Sequence, residues 1–203
     1  MQNKEKRMAG DYEIIHSVYI GYHEVVVGEN LRNMNGQKYL IAYCQSNELM
    51  AKYEECLVSD DYSEIMKCFG ERIIEQAEKV REEHIRIDVD TTPITMKQCE
   101  PDSNDNNIDG KVIIIKAEVF RPEYRTSTRQ LQLCTGGFGA QANSRGNACF
   151  CTNLYSGKTS RFERRDVLGV LKPEKMPEWA KQRLVEIRAA ESQPKGKDRT
   201  EVR

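Results

Sequence analysis

Along the first 45 residues, apolar positions come in short runs broken by turn formers. Asp11 to Ile20 alternates weakly and is rich in Ile, Val and Tyr. Gly21-Tyr22 turns the chain, His23 to Val27 repeats the pattern and stops at Gly28, and Lys38 to Cys44 follows the Asn35-Gly36 pair. Runs of β-branched and aromatic residues bounded by Gly and Asn read as strands, and three in succession predict an antiparallel meander with one buried face. Ser46 to Val58 places Met50, Tyr53, Glu54 and Leu57 at helical spacing. A short helix is expected there, with an edge strand as the alternative.

The pattern then changes period. From Asp61 to His84, Ile65, Met66, Phe69, Ile73, Ala77 and Val80 form one stripe, and Glu71, Glu75, Glu78, Arg81 and Glu82 take the other side. That spacing predicts an amphipathic helix laid on the meander, capped by Asp61, with Glu64 completing a capping box. Between Ile85 and Asp109 periodicity disappears. Pro101 to Asn107 holds only turn formers, so residues 88–110 are expected to be an exposed linker between two lobes, 1–87 and 111–190.

Strand patterning resumes at Lys111–Phe120, ends at Pro122, and returns in Gln130–Cys134 and Ala148–Tyr155. Ser156-Gly157 reads as a two-residue hairpin turn into Lys158–Arg165, and Asp166–Leu171 either continues that strand or bends at Gly169. Pro177-Glu178 opens a last helix over about 177–190 with Trp179, Leu184 and Ile187 facing the core, followed by a polar tail, 191–203, expected to be disordered. The predicted class is α+β, with antiparallel sheets, one long amphipathic helix and a C-terminal helix.

Charge changes this picture most. The net charge of −1 hides 12 Lys and Arg against 22 Asp and Glu in residues 1–110, and 10 against 3 in residues 111–165. An acidic front half and a basic centre predict one anion-seeking face. With 31% charged and 38% hydrophobic residues the chain is polar but globular. No apolar run approaches the roughly 18 residues of a membrane span, and Met1 to Met8 lacks the apolar core of a signal peptide, so a cytoplasmic location without membrane contact is expected. Seven cysteines, an odd number, fit a reducing compartment without disulfides.

The densest stretch of special residues runs from Leu133 to Lys158. Gly136, Gly137 and Gly139 resemble a phosphate loop, but a Walker loop needs a Gly-Lys-Ser/Thr ending and a following helix. Here the loop leads to another strand, so the glycines read first as turn residues, with contact to nucleic acid as the alternative. Cys134, Cys149 and Cys151 lack the paired Cys-x-x-Cys spacing of a zinc site, and Cys149 and Cys151 share one face of a strand, which reads as burial. No metal or other cofactor is expected. His16, His23 and His84 all lie in the acidic half, so the basic half carries no histidine for acid–base work.

The best functional signal is Arg121, Arg125, Arg129, Arg145, Lys158, Arg161, Arg164 and Arg165, interleaved with Tyr124, Phe138, Phe150, Tyr155 and Phe162. Arginine forks suit phosphates and aromatic rings stack on bases, which points to nucleic acid. An acidic protein surface or pairing within the chain fits the same arginines. Glu118, Glu123, Glu163 and Asp166 would make a divalent-metal nuclease only if two or more of them cluster in space.

Phe120–Ser127, Gln130–Gly139, Cys151–Gly157 and Lys172–Ala180 together resemble an accessory-protein family of Firmicutes conjugative and plasmid-like mobile elements. Gly21, the Val25–Gly28 strand and the long helix resemble accessory proteins from the same setting. The resemblance implies a Firmicutes-type host and carriage on mobile DNA, where some accessory proteins inhibit host defence, CRISPR systems included. A host defence nucleoprotein, bound through its effector or its guide RNA, is therefore an expected alternative partner. The resemblance implies no catalytic residues.

Overall fold

The computed structural model describes residues 6–46 and 50–192. The chain is α+β and divides into two units, Met1–Asp88 and Val89–Arg203.

In the first unit β1 (Met8–Ala9), β2 (Tyr12–Ile20), β3 (His23–Glu29), β4 (Tyr39–Ser46) and β5 (Ala51–Ser59) form an antiparallel sheet in chain order. The expected meander is present. The short helix expected within Ser46–Val58 is instead β5, which pairs along β4 from Tyr39↔Ser59 to Ser46↔Ala51. Pairing to β4 outweighs four residues at helical spacing, because a short isolated helix is marginal in water. Residues 47–49 lie outside the described residues.

α1 (Tyr62–Ile85) lies on one face of this sheet. Ile65 and Phe69 bury against Val25, Val27, Ile41 and Tyr43. Asp61 caps the helix by accepting from the Ser63 and Glu64 amides. The expected return bond from Glu64 is absent: its carboxylate accepts the Ser59 hydroxyl at 2.7 Å, and Ser59 Oγ in turn accepts the Asp61 amide at 3.1 Å.

The other face of the sheet is curled over Val26, Ala42 and Cys44. Tyr53 Oη of β5 donates to the Met8 carbonyl of β1 at 3.0 Å, joining the two ends of the strand order. Arg7 reaches over this face and donates both guanidinium N–H groups to Glu24 at 2.6 Å. The Arg7 hydrogen bonds, helped by its charge and opposed by burial, hold the Glu24 carboxyl below its usual range.

In the second unit the sheet order is β10-β9-β8-β7-β11-β6, every neighbour antiparallel. Its strands are β6 (Cys99–Pro101), β7 (Val112–Ile115), β8 (Leu131–Gly136), β9 (Ala148–Asn153), β10 (Thr159–Glu163) and β11 (Val167–Leu171). Residues 88–110 differ from the exposed linker expected: they supply the edge strand β6 and bury Ile94, Cys99 and Ile108. The run expected as one strand from Lys111 ends at Ile115, and a 3-10 turn over Ala117–Val119 follows. The hairpin before β10 is wider than two residues. Asn153 Oδ1 accepts from the Ser156 amide and hydroxyl, and Gly157 turns with φ +69°.

One face of this sheet packs Val112, Ile114, Leu131, Leu133 and Leu171 under α3 (Glu178–Ser192), through Trp179, Leu184 and Ile187. The opposite face packs Ile113, Ile115, Cys134, Cys149, Cys151 and Val167 beneath Ile108, Ala140, Phe120 and Phe162. α2 (Ser127–Gln130) ends on a fully buried Gln130, whose amide donates to the Ile94 and Ile115 carbonyls and whose oxygen accepts the Ile94 amide. Of the tail expected from 191, residues 193–203 lie outside the described residues. No described helix is long and apolar enough to cross a membrane.

A carboxyl held low when folded stabilises above its ordinary pKa of about 4.3 and loses that contribution as pH falls through the folded value. Urea unfolding of the wild type and Glu24→Gln is therefore expected to show the variant weaker at neutral pH, with the gap narrowing in acid. A gap that stays constant with pH would contradict this role for Glu24.

Candidate functional site

The glycine loop is built by close packing. Gly136 and Gly137 turn with φ +134° and +102°, and a Cβ on Gly137 or Gly139 would overlap the Ala148 or Asn147 backbone carbonyl. The loop therefore lies flat on the start of β9. A Cβ on Gly146 would fall 2.5 Å from Phe138 Cβ, so the returning chain supports Phe138 from below. Phe138 itself is 73% exposed. Removing a phenylalanine from water contributes roughly 1.5–3 kcal/mol, so a ring held out on a closely packed loop forgoes that gain.

Arg164 leaves the set of candidate ligand-binding cations. Its side chain is 8% exposed. It donates to both carboxylate oxygens of Asp102 at 2.6 and 2.7 Å, and to the carbonyls of Gly139, Ser103 and Asn106 at 2.7, 2.8 and 2.9 Å. A fork this fully occupied is a structural hub, and it anchors the glycine loop to the 102–106 turn. Internal pairing, one of the alternatives for the arginines, holds at this residue.

The other candidates scatter. Arg129 stacks its guanidinium over the Tyr124 ring at 4.7 Å, and Arg125 donates to the Phe120 carbonyl at 3.2 Å. Arg121 is half-buried at the start of the 3-10 turn Pro122–Tyr124. Tyr155 packs edge-on against Trp179, with ring centroids 5.9 Å apart, and Phe162 against Phe120. Arg145, Lys158 and Arg165 are exposed, and no carboxylate among the described residues is recorded in an ion pair with them. Arg161 is exposed and donates to Glu163 at 2.7 Å.

What the fold does bring together is Phe150 and Arg161. They are register partners on β9 and β10. Phe150 lies between Cys149 and Cys151, which face the buried side, so its ring emerges on the face that carries α3. It remains 52% exposed, because α3 covers the other end of the sheet. Thr135, Thr159 and Ser160 complete a shallow depression around this pair.

Cys134 and Cys151 face each other across β8 and β9, and Cys149 lies on the same face, all buried. The adjoining Cys149 and Cys151 side chains, with Arg164 nearby, hold Cys134 below the usual thiol range. The proximity of Cys134, together with burial, pushes Cys149 and Cys151 up, and their thiols donate to the Asn147 and Cys149 carbonyls. Among the described residues no group of three or more His, Cys, Asp or Glu is placed to hold a metal ion. The Asp166 carboxylate accepts the Glu163 amide at 2.9 Å, and the Glu163 carboxylate accepts from Arg161 at 2.7 Å.

No family model, no curated protein and no solved structure matches this chain.

If the glycines serve packing, Gly139→Ala should destabilise the second unit by about 1–3 kcal/mol, as overpacking does. Thermal unfolding checks this, and a variant as stable as the wild type would overturn the packing assignment.

Proposed function

We propose that the chain is a nucleic-acid-binding accessory protein whose ligand lies on the open end of the second sheet, over Phe150 and Arg161. The observation that carries this reading is the pairing of an exposed aromatic ring with an exposed guanidinium on a rigid β-face. Rings on such a face stack on bases, and arginine forks take phosphate oxygens. Lys158 flanks β10 in sequence. Arg121, Arg125, Arg129 and Tyr155 serve the fold's own contacts first, and Arg164 serves only those. Carriage on a mobile element, implied by the sequence resemblance, makes transferred DNA or its transcripts the natural ligand.

The test is a mobility shift with single-stranded oligonucleotides across a salt series. Binding is expected to weaken as salt rises, with a slope that becomes shallower by about one per cation removed in Lys158→Glu and Arg161→Glu. Phe150→Ala should lose roughly 1–3 kcal/mol of binding with little change in that slope. Shifts unchanged in all three variants would overturn the reading.

A further inference from the structure

The outer edge of β10 has a backbone chemistry that phosphate recognition leaves unexplained. β10 is the last strand of its sheet. The Asn153 amide donates to the Lys158 carbonyl at 2.9 Å, and the Arg164 amide donates to the Asn147 carbonyl at 2.7 Å. The register between β9 and β10 is unbroken from Thr159↔Thr152 to Glu163↔Ala148. Hydrogen-bonded and non-bonded pairs alternate along an antiparallel ladder. Ser160 and Phe162 therefore bond to β9, and the N–H and C=O groups of Thr159, Arg161 and Glu163 point away from the sheet. Asp166 takes the Glu163 amide. Thr159 and Arg161 each keep a donor and an acceptor aimed outward, with no recorded partner among the described residues.

Two other edge strands, β5 and β6, are guarded. β5 carries a bulge, with Glu55 at φ +50° and the Glu55 carbonyl accepting Arg72 at 2.6 Å. β6 is three residues long and ends in Pro101. Bulges, proline and short length are the usual means of blocking strand addition, and β10 has neither bulge nor proline.

We propose that β10 takes up an extended, acidic segment of a partner protein by strand addition, as a seventh strand beside Thr159–Glu163. Alternating donors and acceptors match a peptide backbone. Phosphate offers acceptors only, so the outward carbonyls of Thr159 and Arg161 would repel it. The side chains set the partner's chemistry. On one face the added strand meets the exposed Arg161; on the other it meets the half-buried Phe162. Lys158 and Arg165 flank the strand, and its one carboxylate, Glu163, is already engaged by Arg161. A segment alternating acidic with apolar residues meets both faces. A second copy of this chain would instead set Lys158, Arg161 and Arg165 against their own kind. The two sites share Arg161 and Lys158, but the outward amides and carbonyls of Thr159 and Arg161 belong to this one alone, so the peptide-backbone arm below tests it separately.

The probe is a short fluorescein-labelled peptide of alternating glutamate and valine, followed by anisotropy on the full chain. N-methylating the peptide amides that would face β10 removes their backbone hydrogen bonds and should weaken binding about tenfold or more. This arm leaves the protein unaltered. Thr159→Pro removes one outward N–H and keeps every charge. It should weaken the peptide to a similar degree. Hydrogen exchange should slow at the Thr159 and Arg161 amides when the peptide is added. Equal binding of the N-methylated peptide, no binding of the parent peptide, or protection of those two amides by an oligonucleotide instead would each overturn the proposal.

Discussion

The second unit depends on a single guanidinium. Arg164 holds Asp102, Ser103, Asn106 and Gly139 at once, so it ties the turn after β6, the glycine loop and the corner between β10 and β11 into one body. Burying a charge is costly unless it is paired and its remaining donors are satisfied. Here a bidentate carboxylate supplies the pairing, and three carbonyls that would otherwise need partners supply the rest. Removing either charge leaves the other buried and unpaired, the situation that costs about 3–5 kcal/mol in proteins where it has been engineered.

That hub decides what is left for binding. With Arg164 bonded to the Gly139 carbonyl and Gly137 and Gly139 pressed on β9, the glycines of this loop serve close packing. Its outcome is an exposed Phe138 on a rigid support. α3 covers the sheet as far as the contact of Tyr155 with Trp179, and beyond it β9 and β10 stand open with Phe150 and Arg161 side by side. α3 covers one end of the sheet, which leaves the face over Phe150 and Arg161 open, and β10 ends the other side with no further strand beside it among the described residues.

Much of this frame was legible in the sequence. The meander, the long helix with its Asp61 cap and the burial of the cysteine face all rest on local periodicity and cap chemistry, which a single chain displays. Three features were hidden for physical reasons. β5 has helical spacing and becomes a strand through pairing with β4, a non-local interaction. Residues 88–110 look like a linker because the residues they bury, Ile94, Cys99 and Ile108, are too few and too far apart to make a pattern. Arg164 looks like its neighbours Arg161 and Arg165. Only the fold, by bringing Asp102 to it across 62 residues of chain, separates the structural arginine from the exposed ones. Asp102 itself gave no signal among the turn formers around it.

We propose that two arginines three residues apart divide the work, Arg164 holding the unit together and Arg161 meeting the nucleic acid. The most direct measurement compares Arg161→Ala and Arg164→Ala, each by denaturant unfolding and by oligonucleotide affinity. The account predicts that Arg164→Ala loses several kcal/mol of stability, while Arg161→Ala stays within about 0.5 kcal/mol of the wild type and binds more weakly. An Arg164→Ala protein as stable as the wild type, or an Arg161→Ala protein with undiminished affinity, would contradict it.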